Sequence, residues 1–187
     1  MCILNQIVWT LGPKENENDP NPVDAKIAIT VDGTHCPISE PRKEPSTKWY
    51  SHKFKGPGLS YEIAIAIHEP KVVWANGPYP AGTSDITIYR DGLKQKMEAA
   101  GKLAIADQGY KGEYDTLLLS NPLDVKEVRV FKERASARHE TFNKYLKEFK
   151  ILSTRFRSHY SKHQSVFHAA LVLTQLDMDT GYPLFDI

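Results

Sequence analysis

Four acidic residues stand out by their positions: Asp32, Asp85, Asp107 and Glu140. Asp32 follows the apolar run Ile27–Val31 and precedes Gly33, which puts a carboxylate at the mouth of a strand, between a rigid element and an open loop. Asp107 has the same relation to Leu103–Ala106, with Gln108 and Gly109 turning the chain away behind it. Asp85 follows Ser84 at a helix start, and Glu140 lies within a long helical pattern. Carboxylate oxygens suit a hard divalent cation, Mg2+ with Mn2+ as its substitute, whereas His and Cys ligands would point to zinc. The seven His residues have no ligand spacing, and the two Cys, Cys2 and Cys36, form no Cys-x-x-Cys pair, so a zinc site is not expected. Each acid also has an ordinary use: Asp32 and Asp107 in turns, Asp85 as a charge at a helix start, Glu140 on a solvated surface. What favours chemistry is their joint placement.

The elements that must position these acids follow from periodicity. Ile27–Val31 is alternating and β-branched, and Asp32-Gly33 predicts a turn directly behind it. Residues 37–58, with Pro37, Pro41, Pro45 and Pro57, read as a basic extended segment ending in Gly56-Pro57-Gly58. Tyr61–Ile67 and Lys71–Ala75 predict two strands joined at Glu69-Pro70 and paired antiparallel with the first. Gly77–Gly82 is expected to break the sheet. Ser84 then caps a helix to about Ala100, with Ile86, Tyr89, Leu93 and Met97 at helical spacing, and Gly101 ends it. After a fourth strand, Leu103–Ala106, an irregular stretch runs to about Glu133. A long helix over about Ser136–Ser158 follows, and a last one over about Lys162–Leu176 has Val166, Ala169, Ala170 and Leu173 as its core stripe. Ahead of all this, Ile3–Leu11 is a short apolar piece and residues 12–24 an exposed connector. The chain thus divides into an N-terminal extension and linker (1–24), one domain (25–180) and a tail (181–187). Three antiparallel strands, a helix, a further strand and long helices is the order of an α/β fold of the ribonuclease H-like type, a mixed sheet flanked by helices. In that topology strands one and four are neighbours, so Asp32 and Asp107 would meet at one sheet edge, with Glu140 closing the group.

Composition sets the bounds. A chain of 187 residues, 41% hydrophobic and 25% charged, fits one globular domain with a real core, since chains of this size bury about 70% of their unfolded surface. Two Cys build no disulfide framework and fit a reducing compartment. No apolar run approaches the roughly 20 residues of a membrane span, and the N-terminus lacks the pattern of a signal peptide, so an intracellular protein without membrane contact is expected. The net charge is +1, but residues 126–163 hold eleven Lys or Arg against four Asp or Glu. That is either a basic face for a polyanion or a Lys-rich solvated helix surface.

Five motifs carry a family resemblance: DGTHCPI (Asp32–Ile38), WYSHKFKG (Trp49–Gly56), GTSDITIYR (Gly82–Arg90), IADQGY (Ile105–Tyr110) and RHETFN (Arg138–Asn143). In this order they resemble the DDE endonuclease domain of Harbinger-like transposases, over about residues 25–180. The resemblance implies a metal-dependent DNA endonuclease and strand-transfer domain, with Asp32 and Glu140 as catalytic acids. For the middle acid the GTSD motif points to Asp85 and the sheet topology to Asp107, which geometry favours. All four are candidate metal ligands, for Mg2+ or Mn2+. Such a set would hold two ions about 3.5–4 Å apart, which stabilise the attacking and leaving oxygens of phosphodiester cleavage and joining.

In helical projection Phe142, Leu146, Phe149 and Phe156 share an apolar face, while Glu140, Asn143, Lys144 and Lys147 project from the opposite one. Given the resemblance, Glu140 reads as a metal ligand flanked by Lys144 and Lys147 as phosphate-positioning cations, with Tyr50, Lys53 and Lys55 as further DNA-backbone contacts. His35 and Cys36 read as loop and core residues. The expected partner is DNA, in the nucleus, and a homo-oligomer is compatible with such a domain. Nothing before residue 25 reads as a helix-turn-helix, so end recognition is expected from a missing region or a separate DNA-binding partner protein. The alternative is a domesticated or truncated transposase-derived protein that binds DNA or protein without catalysis; the intact acid set speaks against it. A glycosidase built on paired carboxylates would want an aromatic-rich cleft that the sequence does not offer.

Overall fold

The computed structural model describes residues 26–42 and 44–187, so Ile3–Leu11 and the connector 12–24 lie outside the described residues. Two long strands form its spine. β1 (Ile27–Pro37) and β3 (Gly56–Ala66) pair antiparallel from Ile29 opposite Ala66 to Pro37 opposite Gly58. β4 (Val72–Pro80) pairs with the other edge of β3, while β5 (Leu103–Ala106) lies parallel to β1 and β6 (Leu117–Leu119) parallel to β5. The two-residue β2 (Tyr50–Ser51) joins the start of β3, and a single turn of helix, α1 (Ser46–Trp49), leads into it with Trp49 buried. The result is a six-stranded mixed sheet with β1 beside β5.

Helices cover both faces, which is why Ile63-Ala64-Ile65 reads as an unbroken apolar run rather than an alternating one. On one face α2 (Asp85–Arg90) and α3 (Leu93–Ala100) pack Tyr89, Leu93 and Met97 onto Ile29, Val31, Ala64 and Ala104. On the other, α4 (Lys126–Glu148), the single turn α5 (Lys150–Ser153) and α6 (His163–Thr180) bring Phe142, Leu146, Leu152 and Phe167 onto Tyr61, Ile63 and Ile65. Tyr61 stacks on Phe167 with ring centroids 3.7 Å apart, and its hydroxyl meets His163 Nδ1 at 2.8 Å. Arg138 Nη1 donates to the carbonyls of Ala66 (2.6 Å) and Ile67 (3.3 Å), fixing α4 across the end of β3. The mixed sheet between helical layers is the ribonuclease H-like arrangement. Among the described residues no helix is long and apolar enough to cross a membrane.

Several boundaries differ from expectation, each for a physical reason. β1 does not turn at Asp32-Gly33, because β3 pairs with it for its whole length. Gly77–Pro80 does not break the sheet. β4 absorbs it as a bulge between the Ser60 and Glu62 registers, with Gly77 at φ 134°, a conformation open to glycine. The helix expected over residues 84–100 is two helices, parted at Asp91-Gly92 where the Trp74 ring stands 2.9 Å from the position a Gly92 Cβ would take. α4 starts ten residues before Ser136, and Phe156 is not on it but bonds its N–H to the carbonyl of Pro37. In α6 the buried stripe is His163, Phe167, Ala170, Leu171, Thr174 and Met178, so Ala169 and Leu173 face outward. β6, three residues long, and α1, one turn, are too short for periodicity to register.

Candidate active site

The site forms where one strand outlasts its neighbour. β5 stops at Ala106, and the parallel register pairs Thr30 with Ile105. Carried two residues further, the same register brings Asp32 level with Asp107, just past the end of β5. From there to Cys36, β1 is paired only with β3, and Phe156 meets its other edge at Pro37. The strand direction opened by β5's end exposes a backbone N–H at Gly33, and Asp32 takes it with Oδ1 at 2.7 Å. Its other oxygen, Oδ2, accepts from Asn143 Nδ2 of α4 at 2.9 Å. Asp107 leaves β5 in extended conformation and accepts the Gly109 N–H at Oδ1 (2.8 Å), capping the 3-10 turn Gln108–Tyr110.

Asp85 reaches the same place from the opposite helical layer. At the first turn of α2, its Oδ1 stands 2.5 Å from where a Gly33 Cβ would be, and its Oδ2 is 2.9 Å from that of Gly109. Asp107 Oδ1 lies 3.0 Å from the same Gly109 position. Two glycines thus leave the room in which Asp85 and Asp107 approach each other and Asp32. Neither glycine has positive φ, so their role here is the missing side chain and not backbone freedom. Burial pushes the Asp85 carboxyl up from its ordinary value, the charges of Asp107 and Asp32 push the same way, and Lys53 opposes them. Lys53 Nζ donates to the Gly33 carbonyl at 2.6 Å. A residue expected to touch DNA backbone therefore sits at the acidic site itself.

α4 runs along β1 on the other face. His139 Nδ1 meets Thr30 Oγ1 at 2.8 Å, Asn143 holds Asp32, and half-buried Lys147 lies close enough to Cys36, Lys53 and Asp32 to feel their charges. Burial pulls the Lys147 amine down and pushes the Cys36 thiol up to about 12. His35, on β1 and not in a loop, is buried against Ser51 Oγ (2.7 Å) and lowered to about 4, first by burial and then by Lys53 and Lys147. Asn143 and Lys147 are thus turned toward the site and not away from the sheet. Glu140 is exposed on α4, and no hydrogen bond or ion pair links it to Asp32, Asp85 or Asp107. At about 100° per residue it lies about 60° round the helix from Asn143 and about 20° from Lys147, on the flank nearest the site. Lys55 and Lys144 are exposed, as is Tyr50, edge-on to His52.

Residue-by-residue reading of the sequence passes over three groups the structure places here. Asn143 orients Asp32. Glu62 is wholly buried in β3 opposite Gly33, its carboxyl pushed up to about 8, chiefly by burial. Tyr110, equally buried, sits under the cluster, its hydroxyl raised well above its ordinary value by burial and by the charges of Glu62, Asp85, Asp32 and Asp107. The signal for Glu62 was legible: a charged residue inside a strand that is otherwise apolar on both faces.

The donor chemistry fits a hard divalent cation. Three carboxylates approach from β1, α2 and the end of β5, and Asp85, raised first by burial and further by the charges of Asp107 and Asp32, is a carboxylate whose ionised form a cation would favour. Among the described residues no three His, Cys, Asp or Glu side chains already stand as a ligand set, since Asp32 is turned to Asn143 and Asp107 to Gly109. The chain matches no curated protein and no solved structure. A family model described as DDE superfamily endonuclease matches residues 31–175, from just before Asp32 into α6. The match covers most of the chain, and with it the sheet edge and all four acids: this protein belongs to the DDE superfamily endonucleases.

Proposed function

We propose that the chain is a metal-dependent DNA endonuclease and strand-transfer domain of a Harbinger-like transposase, acting at the sheet edge where Asp32 and Asp107 meet. The observation that carries this reading is the approach of Asp32, Asp85 and Asp107 around Gly33 and Gly109. Asp32 and Asp107 are the central ligands, Asp85 supports them from α2, and Glu140 closes the group from α4. Two Mg2+ ions held there, or Mn2+ in their place, would supply the positive charge that attacking and leaving oxygens need in an in-line displacement at phosphorus.

The chain's own residues do the positioning. Asn143 and the Gly33 N–H hold both oxygens of Asp32, so its carboxylate has one orientation before substrate arrives. Lys53, fixed on the Gly33 carbonyl, and Lys147, half-buried beside Cys36, bring cationic charge to the phosphate on either side of the acids. Lys55 and Lys144 extend that charge outward along the DNA backbone. Water as nucleophile gives cleavage and a 3′-hydroxyl gives joining. Work on DNA implies a nuclear location, with end recognition left to a DNA-binding partner protein.

Incubating the protein with supercoiled DNA and Mg2+ or Mn2+ tests the reading. Nicking is expected, and Asp32→Ala and Glu140→Ala should each abolish it; undiminished nicking in both variants refutes the assignment. A second reading, a transposase-derived protein that binds DNA without cutting, is favoured by the exposed position of Glu140. DNA binding with no nicking under either cation would select it.

A further inference from the structure

Glu62 is the only buried acid among the described residues, 0% exposed in the middle of β3. The β1 register sets it opposite Gly33. Residues paired directly across two strands direct their Cβ atoms to the same face, about 4.5–5.5 Å apart. Gly33 has no Cβ, and the space is taken by the Asp85 carboxylate, whose Oδ1 stands 2.5 Å from that vacant position. Glu62 and the Asp85 carboxylate are therefore neighbours on one face of the sheet. Glu62 Oε1 accepts from Trp74 Nε1 at 2.9 Å, while Oε2 is buried with no hydrogen-bond partner among the described residues. The hydroxyl of Tyr110, at the end of the turn that Asp107 caps, is in the same condition. Packing alone would be better served by an apolar side chain, as at the adjoining Ile63 and Ala64.

We propose that Glu62 is a positioning residue for Asp85. Clamped at one oxygen by Trp74, it presents the other to the Asp85 carboxylate and keeps that group seated against Gly33 and Gly109. The inference rests on reading Asp85 as part of the cation site. Oε2 has no other partner, so the contact it would make is a hydrogen bond shared with Asp85, and glutamine would reproduce it: the amide oxygen accepts from Trp74 and the amide N–H donates to Asp85. Leucine keeps most of the volume and removes both contacts. Trp74→Phe leaves Glu62 in place and releases its clamp.

The test is Mn2+ titration of the full chain, followed by electron paramagnetic resonance, with the thermal midpoint of each metal-free protein measured alongside. Glu62→Gln should bind Mn2+ within about threefold of the parent, whereas Glu62→Leu and Trp74→Phe should weaken it by about tenfold or more. Trp74→Phe should do so while keeping a cooperative melt, at a somewhat lower midpoint because a buried hydrogen bond is lost, and this keeps the test decisive if Glu62→Leu fails to fold. Parental affinity in Trp74→Phe or Glu62→Leu overturns the proposal. So does a Gln variant as weak as the Leu variant, because charge and not hydrogen bonding would then be what the position supplies. A parent protein that binds no Mn2+ overturns the cation site itself, a result distinct from any of these.

Discussion

Gly33→Ala separates folding from function in a way that follows from two distances. A methyl group at Gly33 would stand 2.5 Å from Asp85 Oδ1 and 3.2 Å from Asp85 Cγ, and the next nearest atom, at 3.8 Å, is the second oxygen of the same carboxylate. To restore ordinary contact at 3.4 Å the carboxylate must retreat by about 0.9 Å. Its rotamer strain costs about 1 kcal/mol. Against that, Gly33 has no positive φ, so alanine suits the strand and restricts the unfolded chain, a gain of roughly 0.4–1 kcal/mol. The two nearly cancel, and the thermal midpoint should stay within about 4 °C of the parent. Function should not survive, since a displacement near 1 Å at a reacting centre costs on the order of 100-fold in rate. Thermal melts, Mn2+ titration and plasmid nicking on the same preparation give all three readings. Gly101→Ala is the control: it has open space around it at φ 62°, so it should lower stability by about 1 kcal/mol and leave Mn2+ binding untouched. Parental nicking and Mn2+ affinity in Gly33→Ala, or collapse of its fold, would refute the reasoning.

Other consequences are simpler. Asn143→Ala removes a hydrogen bond to the Asp32 carboxylate and should lower stability by about 1.5–3 kcal/mol in a urea melt, with nicking reduced; an unchanged melt would mean Asp32 does not depend on it. Glu62 has its folded value raised to about 8 from 4.5, so the unfolded chain sheds this proton first and stability falls as pH rises from about 4.5 to 8; Glu62→Gln should flatten that slope. His35, His139 and His163 are lowered to about 4 from 6.5, so the unfolded chain takes up protons that the folded one refuses, and stability should fall as pH drops from 6.5 toward 4. A pH series of urea midpoints reads both limbs. Lys53→Ala should reduce the slope of log affinity for DNA against log salt by about one unit, the release of one phosphate contact.

The fold was legible where the physics is local and repeated. Apolar alternation found the cores of β1, β3, β4 and β5, and helical spacing found α2 to α4 and α6, so the neighbourhood of strands one and four followed from element order. What periodicity missed was decided by pairing across the chain. An Asp-Gly step signals a turn in isolation, but β3 lies along all of β1 and keeps it extended; Gly33 is required for the Asp85 carboxylate, which no local rule reveals. Asn143 was assigned to the outward face because the helical projection was centred on Phe142 and Phe149, whereas the buried face runs through His139, Phe142 and Leu146 and brings Asn143 to Asp32. The choice between Asp85 and Asp107, open in the sequence, changes its form: both carboxylates flank Gly109, one from a helix start and one from a strand end.

The most direct measurement is a crystal of the protein soaked in Mn2+ and examined by anomalous scattering. The account predicts a peak at the end of β5, between the carboxylates of Asp32 and Asp107 and within reach of Asp85. A metal bound elsewhere on the domain, or none at concentrations that support DNA nicking, would contradict it.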